Sequence, residues 1–261
     1  MRVLVTGAAR AIGAATVVEL SARGHDVVAT ARNVAALAGL PAALTLPLDV
    51  TDAASVRRAV EAAGDLDAVV NNAAITSGGP LETFPLEMLR EMLETNTLGP
   101  LRVMQAVLPA WRQRGSGVIV NVSSVQGRVG TPLEGPYAAT KHALEALSES
   151  LHIEVARFGI RVVIIQPGYV APGMRHGPSF EGPEVYAELR RQWSSNESVL
   201  NPAGRPGPET VARTIAEAIE QPGTPLRVEV GEDAALVLGA RRTMDDATFE
   251  AAMRSVLGLT W

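Results

Sequence analysis

Tyr137 and Lys141 stand four residues apart in the run Tyr137-Ala138-Ala139-Thr140-Lys141. On a helix that spacing puts both side chains on one face. A free phenol has a pKa of about 10 and is a poor acid or base near neutrality. An ammonium beside it favours the phenolate and lowers that value. The pair can then exchange a proton with a substrate oxygen at working pH. Such pairs also decorate ordinary helix surfaces, so the spacing gains meaning only from its surroundings.

A second constellation lies near the start of the chain, in Thr6-Gly7-Ala8-Ala9-Arg10-Ala11-Ile12-Gly13. It follows an apolar run and opens a helical one. Small residues there let backbone approach a pyrophosphate, and the helix N-terminus offers free N–H groups and a positive dipole. Any tight strand-to-helix turn can carry two glycines; position in the first strand-helix unit is what suggests a dinucleotide. The next apolar run ends Ala29-Thr30-Ala31-Arg32-Asn33. An acid at that tip would accept hydrogen bonds from the ribose 2′-hydroxyl of NAD, whereas an arginine pairs with a 2′-phosphate. Arg32, with Arg10 from the glycine turn, therefore predicts NADP(H) in preference to NAD(H). The plainer reading is that Arg32 is a solvated surface charge.

The elements that must position these groups alternate in kind. Short β-branched runs predict strands at Arg2–Val5, Val27–Thr30, Leu44–Leu48, Ala68–Asn71, Val118–Val122, Ile160–Gln166 and Leu226–Val230. Helices are expected over Ile12–Arg23, Glu87–Trp111 with a soft spot at Gly99-Pro100, Tyr137–Phe158 and Thr210–Glu220. Most strands are apolar throughout, as in a parallel sheet buried on both faces. The alternation predicts an α/β fold, a doubly wound Rossmann-type parallel sheet flanked by helices in a single domain over 1–261. The stretch 168–208 breaks the rhythm. It is rich in Gly and Pro yet holds Tyr169, Met174, Phe180, Tyr186 and Trp193. A long connection in a compact domain is usually functional, and aromatics argue against disorder, so a lid-like substrate loop is expected.

Bulk properties remove other classes. The chain has 261 residues, 47% of them hydrophobic, enough for a large core without staples. A net charge of −5 implies no general attraction to nucleic acid or anionic membrane. There is no cysteine, hence no disulfide, thiolate nucleophile or thiolate-held metal. His25, His142, His152 and His176 show no metal-ligand spacing with carboxylates. The first apolar run is too short for a signal peptide and no run is long enough to span a bilayer, so a cytoplasmic protein is expected.

Taken together, the glycine turn, Asp49-Val50, Asn71-Asn72-Ala73-Ala74, Asn96, Ser123-Ser124, Tyr137-Ala138-Ala139-Thr140-Lys141 and Pro167-Gly168 resemble the short-chain dehydrogenase/reductase family in order and approximate spacing. The likeness runs over essentially the whole chain, and looks strongest to the branch of 17β-hydroxysteroid dehydrogenases and related ketoreductases. It implies that Tyr137 gives a proton to a carbonyl oxygen or takes one from an alcohol. Lys141 would lower the tyrosine pKa and hold the nicotinamide ribose. Ser124, thirteen residues before Tyr137, would hydrogen-bond the substrate oxygen, with Ser123 its structural neighbour. Asn96 would hold a water behind the lysine. The resemblance also implies cofactor contacts from Gly7, Ala11, Ile12, Gly13, Asp49, Val50, Asn72, Ala73, Pro167, Gly168 and Val170. The reaction would be direct hydride transfer without a metal. Relatives pair through their two long helices, so a homodimer or homotetramer is expected; Leu144, Leu147, Leu151 and Val155 form a stripe that is equally a core stripe.

Three positions depart from the family pattern. Ala11 replaces the middle glycine of the turn, where the backbone angle can be one that alanine dislikes. Ala74 replaces a glycine. Pro172 stands where a threonine often bonds the carboxamide, and proline offers neither N–H nor hydroxyl. They leave two rival readings open: a silent cofactor sensor or scaffold, and an epimerase that retains its nicotinamide. The substrate is a small carbonyl or alcohol. The lid aromatics suggest an apolar or ring-containing one, and specificity is expected in the lid and around Leu133, Glu134 and Gly135.

Overall fold

Uniformly apolar strands need cover on both faces, and the chain supplies helices on each side. A computed structural model describes residues 1–171, 174, 177–195, 199, 200 and 204–261. Its strands are β1 (Arg2–Val5), β2 (Asp26–Ala31), β3 (Leu44–Pro47), β4 (Ala68–Asn71), β5 (Gly117–Val122), β6 (Ile160–Pro167) and β7 (Arg227–Val230). They form one parallel sheet in the order β3-β2-β1-β4-β5-β6-β7. The order reverses between β1 and β4, and in doubly wound sheets ligands bind at the carboxyl ends of strands beside such a switch.

The period of two along each strand sorts its side chains into two cores. Val3, Val5, Val120, Val122 and Ile165 pack under α1 (Ala11–Ala22) and α7 (Pro208–Glu220), through Val17, Leu20, Ile215 and Ile219. Leu4, Val28, Val69, Ile119 and Val162 pack on the other face under α2 (Ala53–Ala63), α4 (Gly99–Arg114) and α5 (Gly135–Ala156). Caps set several ends. Asp52 accepts from the Ala54 N–H at 2.8 Å to start α2, and Gly115, at φ 77°, closes α4. Pro136 in the first turn of α5 supplies a fixed φ where no N–H is needed.

The single long helix expected over Glu87–Trp111 is interrupted. α3 (Leu86–Leu93) passes into a π-helical turn, Glu94–Leu98, before α4. Gly99 follows because its backbone lies on Val50: a Cβ there would come within 2.8 Å of Val50 Cγ2. The π turn carries Asn96, and such bulges are frequent at functional sites.

The sheet reading stopped at Val230, yet α8 (Glu232–Thr243) and α9 (Asp246–Leu257) follow. α2 was likewise not foreseen. The stretch 168–208 contains α6 (Ala187–Ser195), preceded by a short turn at Glu184–Tyr186. Pro172 and His176 lie outside the described residues. No helix is long and apolar enough to cross a membrane, and no group of acids and histidines could hold a metal, among the described residues.

Candidate active site

Tyr137 and Lys141 sit in the first half of α5, which passes beneath the carboxyl end of β5. Both are buried. The Lys141 ammonium donates to the Val122 carbonyl at 2.8 Å and lies 5.6 Å from the Tyr137 ring centroid. Burial lowers its pKa to about 8, against the opposing pull of Glu145 one turn further along. The phenol is pushed well above its usual value, by burial first and by the Glu134 carboxylate second; a hydrogen bond from Ser124 works the other way. The folded chain alone thus does not deliver the depressed phenol expected from the lysine. Burial and the Glu134 carboxylate raise it instead, and the ammonium spends a hydrogen bond on a backbone carbonyl.

Ser124 and Ser123, adjacent in sequence, separate in space. Ser124 stands at the end of β5 with its hydroxyl toward Tyr137, and also accepts from the Gln126 N–H at 3.2 Å. Ser123 is buried beside Glu145, and its hydroxyl has no partner among the described residues. Asn96 is fully buried. Its Oδ1 accepts from the Ile75 N–H at 2.8 Å, and its Nδ2 donates to the Ile75 carbonyl at 2.8 Å and to Thr140 Oγ1 at 3.0 Å. Thr97 donates to the Thr140 carbonyl at 2.9 Å. The π turn therefore clamps both α5 and the loop after β4, fixing the helix that carries Tyr137.

At the other end of the site, the glycine turn joins β1 to α1. Gly7 has φ 64°, and a Cβ there would come within 2.8 Å of Ala73 Cα. Gly13 lies against the Gly7 carbonyl and the Asn72 amide, so the helix can approach the strand only without a side chain. Asn72 Nδ2 donates to the Thr6 carbonyl at 2.9 Å and the Gly7 carbonyl at 3.1 Å. Thr6 Oγ1 accepts from the N–H groups of Asn72 and Ala73 at 3.0 and 3.1 Å. The first rung of α1 is Ala14 N–H to Arg10 O at 3.2 Å, so earlier N–H groups of the turn lack a carbonyl one turn back. Ile12 is half-buried at this turn. Ala11 has φ 43°, a left-handed angle that costs a residue with a Cβ about 1–2 kcal/mol.

Arg10 and Arg32 are exposed and form no ion pair among the described residues. Arg32 stands near Asp49 at the tip of the neighbouring strand. Burial pushes that carboxyl up, but hydrogen bonds from Thr51, with the field of Arg32 added, hold it below its usual range. Val50 is buried against Gly99. Just after β6, the Gly168 N–H donates to the Val230 carbonyl at 3.0 Å. Gly168 packs on the Asp233 carboxylate, which accepts from the Tyr169 N–H at 2.7 Å. Pro167 is buried, and Val170 packs on the sheet core.

The aromatics and the methionine of the stretch after β6 divide between two tasks. Phe180 meets Phe84 edge-on at 5.3 Å, and Tyr186 lies 6.1 Å from Trp261 while donating to Glu82 at 2.8 Å; these pack the stretch against the body. The thioether of Met174 accepts from the Tyr137 hydroxyl at 3.6 Å, and Trp193 lines a cavity.

The model of the short chain dehydrogenase family matches residues 1–179. The chain belongs to the short-chain dehydrogenase/reductase family. It is 34% identical over 239 residues to 3-ketodihydrosphingosine reductase of Bacteroides thetaiotaomicron, covering 88% of this chain and 87% of the relative. A short-chain dehydrogenase from Streptomyces avermitilis has the same fold, with a TM-score of 0.84 at 35% identity over 100% of this chain and 99% of that one. A second, from Burkholderia cenocepacia in complex with NADP, matches at a TM-score of 0.78 and 27% identity over 100% and 98%. This dehydrogenase/reductase is accordingly an enzyme that interconverts CH–OH and C=O groups with a nicotinamide cofactor.

The residues present fit such a group. A helix N-terminus whose first N–H groups lack a carbonyl one turn back, with exposed Arg10 at its cap, is a donor set that suits the pyrophosphate of a dinucleotide. Three positions escaped the sequence reading. Thr6 locks the glycine turn to Asn72. Glu145, buried, accepts from Gln166 at 2.9 Å and Arg227 at 2.8 Å, and supports the Lys141 charge. Its place one turn after Lys141 on the same face was a usable signal. Asp233 anchors the turn at Gly168 from 65 residues away, and nothing local announces it.

Proposed function

We propose that this enzyme is an NADP(H)-dependent ketoreductase or alcohol dehydrogenase in which Tyr137 is the proton donor and acceptor. Ser124 and Tyr137 hold the substrate oxygen, Lys141 keeps positive charge beneath the phenol, and Asn96 fixes the helix and loop around them. The bound nicotinamide would supply the hydride. Gly7, Arg10, Ala11, Ile12 and Gly13 would carry the pyrophosphate, and Arg32, with Arg10, the 2′-phosphate. Asp49, Val50, Asn72 and Ala73 would line the adenosine, and Pro167, Gly168 and Val170 the nicotinamide. The observation that carries this reading is the phenol hydroxyl held between Ser124 and the thioether of Met174, a soft neighbour that a carbonyl oxygen can displace.

The residues 168–208 act in this proposal as a substrate lid on a single unit of 1–261. The substrate is apolar or ring-containing, consistent with Met174 and Trp193. Copies of the chain would pair through the long helices, where Ile153 is 74% exposed beside half-buried Leu147 and Leu151, while Leu144 and Val155 belong to the core.

A panel of ketones and secondary alcohols, assayed with each nicotinamide for the wild type and Tyr137→Phe, tests the reading. Turnover in the wild type, lost in the variant with dinucleotide binding retained, is the expected result. A cofactor sensor is the rival that the strained angle at Ala11 favours; it would bind NADPH and turn over nothing in either form. Purification with a nicotinamide already bound, and racemisation of an added alcohol, would favour the epimerase.

A further inference from the structure

β6 ends beside the serines that follow β5. The Ser123 N–H donates to the Ile165 carbonyl at 2.8 Å, and Pro167, Gly168 and Tyr169 come two residues later. Two elements hold the turn they form. At the end of β7, the Val230 carbonyl accepts from the Gly168 N–H at 3.0 Å. In the first turn of α8, Asp233 is only 3% exposed, and its Oδ2 accepts from the Tyr169 N–H at 2.7 Å.

Two glycines make room for this one carboxylate. A Cβ on Gly168 would strike both of its oxygens, and one on Gly231 would come within 2.6 Å of Oδ1. Gly231 also has φ 108°, an angle that a side chain rarely allows. Burying a charge is costly unless it is hydrogen-bonded where it lies. The dipole of α8 does not by itself require an acid at this position, because Glu232 stands exposed in the same first turn. The placement of Asp233 answers to the turn at Gly168 rather than to its own helix.

The stretch 168–208 closes on itself at the same turn. The Ala171 N–H donates to the Pro206 carbonyl at 2.9 Å, and the Arg205 guanidinium lies 5.1 Å from the Tyr169 ring centroid. Both ends of the stretch thus meet at residues 169–171. A hydrogen bond to a carboxylate is stronger than one to a neutral acceptor, so Asp233 fixes the point where the loop leaves the sheet and returns to it.

We propose that Asp233 is a positioning residue for the nicotinamide half of the cofactor: from α8 it holds Gly168 and Tyr169, and so fixes both the turn that receives the ring and the neck of the lid. The proposal rests on the nicotinamide reading of Pro167, Gly168 and Val170 above. Asp233 acts in it through the backbone of that turn, and the adenosine end at the glycine turn is left alone.

The test is calorimetric titration of the full chain and needs no substrate. NADPH is compared with 2′-phospho-ADP-ribose, and NADH with ADP-ribose; each pair differs in the nicotinamide ring. The wild type should bind each dinucleotide more tightly than its fragment. Asp233→Asn keeps the shape of the side chain and loses its charge. There the affinity ratio of dinucleotide to fragment should fall about tenfold, the difference between a charged hydrogen bond and a neutral one. Affinity for the fragments should stay, because the glycine turn is untouched; a merely structural role would weaken both members of a pair. Arg205→Gln, at a half-buried position, should lower the ratio by a smaller factor, and decides the matter if Asp233→Asn does not fold. An unchanged ratio in these variants, or equal losses for dinucleotide and fragment, overturns the proposal alone. A wild type that binds fragment and dinucleotide alike overturns the nicotinamide reading of the turn as well.

Discussion

The two ends of the site are built differently. Around Tyr137 the polar groups that fix the helix are buried and assigned: Asn96 to Ile75 and Thr140, Thr97 to Thr140, Lys141 to Val122. Around the glycine turn the strand side is equally firm, through Thr6 and Asn72, but the ligand side is not. It consists of open N–H groups, two exposed arginines and an alanine at φ 43°. The side chains to which the proposal gives the proton chemistry are thus held by the fold in advance, as low reorganisation in a site demands. In the same proposal the grip on a dinucleotide would be left to groups that ligand binding itself must order. Substitutions at the first end should therefore change rate, and those at the second affinity or preference.

Tyr137→Phe gives the largest expected effect. Removing a positioned acid-base group costs about 10²- to 10⁴-fold in kcat. Dinucleotide affinity, measured by calorimetric titration, should stay near the wild-type value, since the glycine turn is untouched. A large loss of affinity with little loss of kcat would reverse the division between the two ends.

Next comes the cost of the buried ammonium. Lys141 falls from an ordinary 10.5 to about 8 in the folded chain. Between those values the unfolded chain binds the proton more tightly, so stability rises with pH. The penalty is complete below pH 8 and shrinks as pH climbs toward 10.5. Relative to Lys141→Met, the wild type should gain about 3 kcal/mol over that interval. Tyr137 opposes the trend at the top of it. Its raised pKa contributes stability below the ordinary phenol value of 10.0, which begins to be lost once free tyrosines ionise. Urea unfolding of both forms from neutrality to just under that value isolates the lysine. A flat difference would mean that Glu145 fully offsets the burial.

What could be read from the residues follows the same division. Strands apolar throughout, the helix bearing Tyr137 and Lys141, and the turn at Gly7 and Gly13 express local periodicity and local sterics. The sheet and its family can be recognised from them. The π turn cannot, because Glu94–Leu98 has an ordinary helical composition and widens only to meet Thr140 and Ile75. Nor can Asp233, whose partners at Gly168 and Tyr169 are far away in sequence. α8 and α9 escape because their apolar residues do not keep to one clean face: Val237, Leu238, Phe249 and Leu257 are buried while Leu236 and Val256 are exposed. The upward shift of the phenol was hidden for the same reason, since burial and Glu134 are properties of the folded chain.

Arg32 tests the looser end. A charged hydrogen bond contributes about 1.5–3 kcal/mol, so Arg32→Asp should shift the NADPH/NADH ratio of kcat/KM by roughly ten- to hundredfold toward NADH. Lysine would keep only part of the preference, because it lacks the planar fork that grips a phosphate. An unmoved ratio would overturn the assignment of a 2′-phosphate to Arg32.

The smallest effect is the one that bears most directly on the difference between the two ends. Ala11 pays about 1–2 kcal/mol for its left-handed angle. Ala11→Gly removes that strain but gives the unfolded chain more freedom, worth about 0.4–1 kcal/mol in the opposite sense. The net should be a gain of about 0.5–1 kcal/mol in urea unfolding, with kcat of the Tyr137 chemistry unchanged. NADPH affinity should rise modestly if the alanine methyl also crowds the pyrophosphate. Destabilisation by glycine would mean that the methyl packs usefully at this angle, and the turn would then be as well fitted as the floor beneath Tyr137.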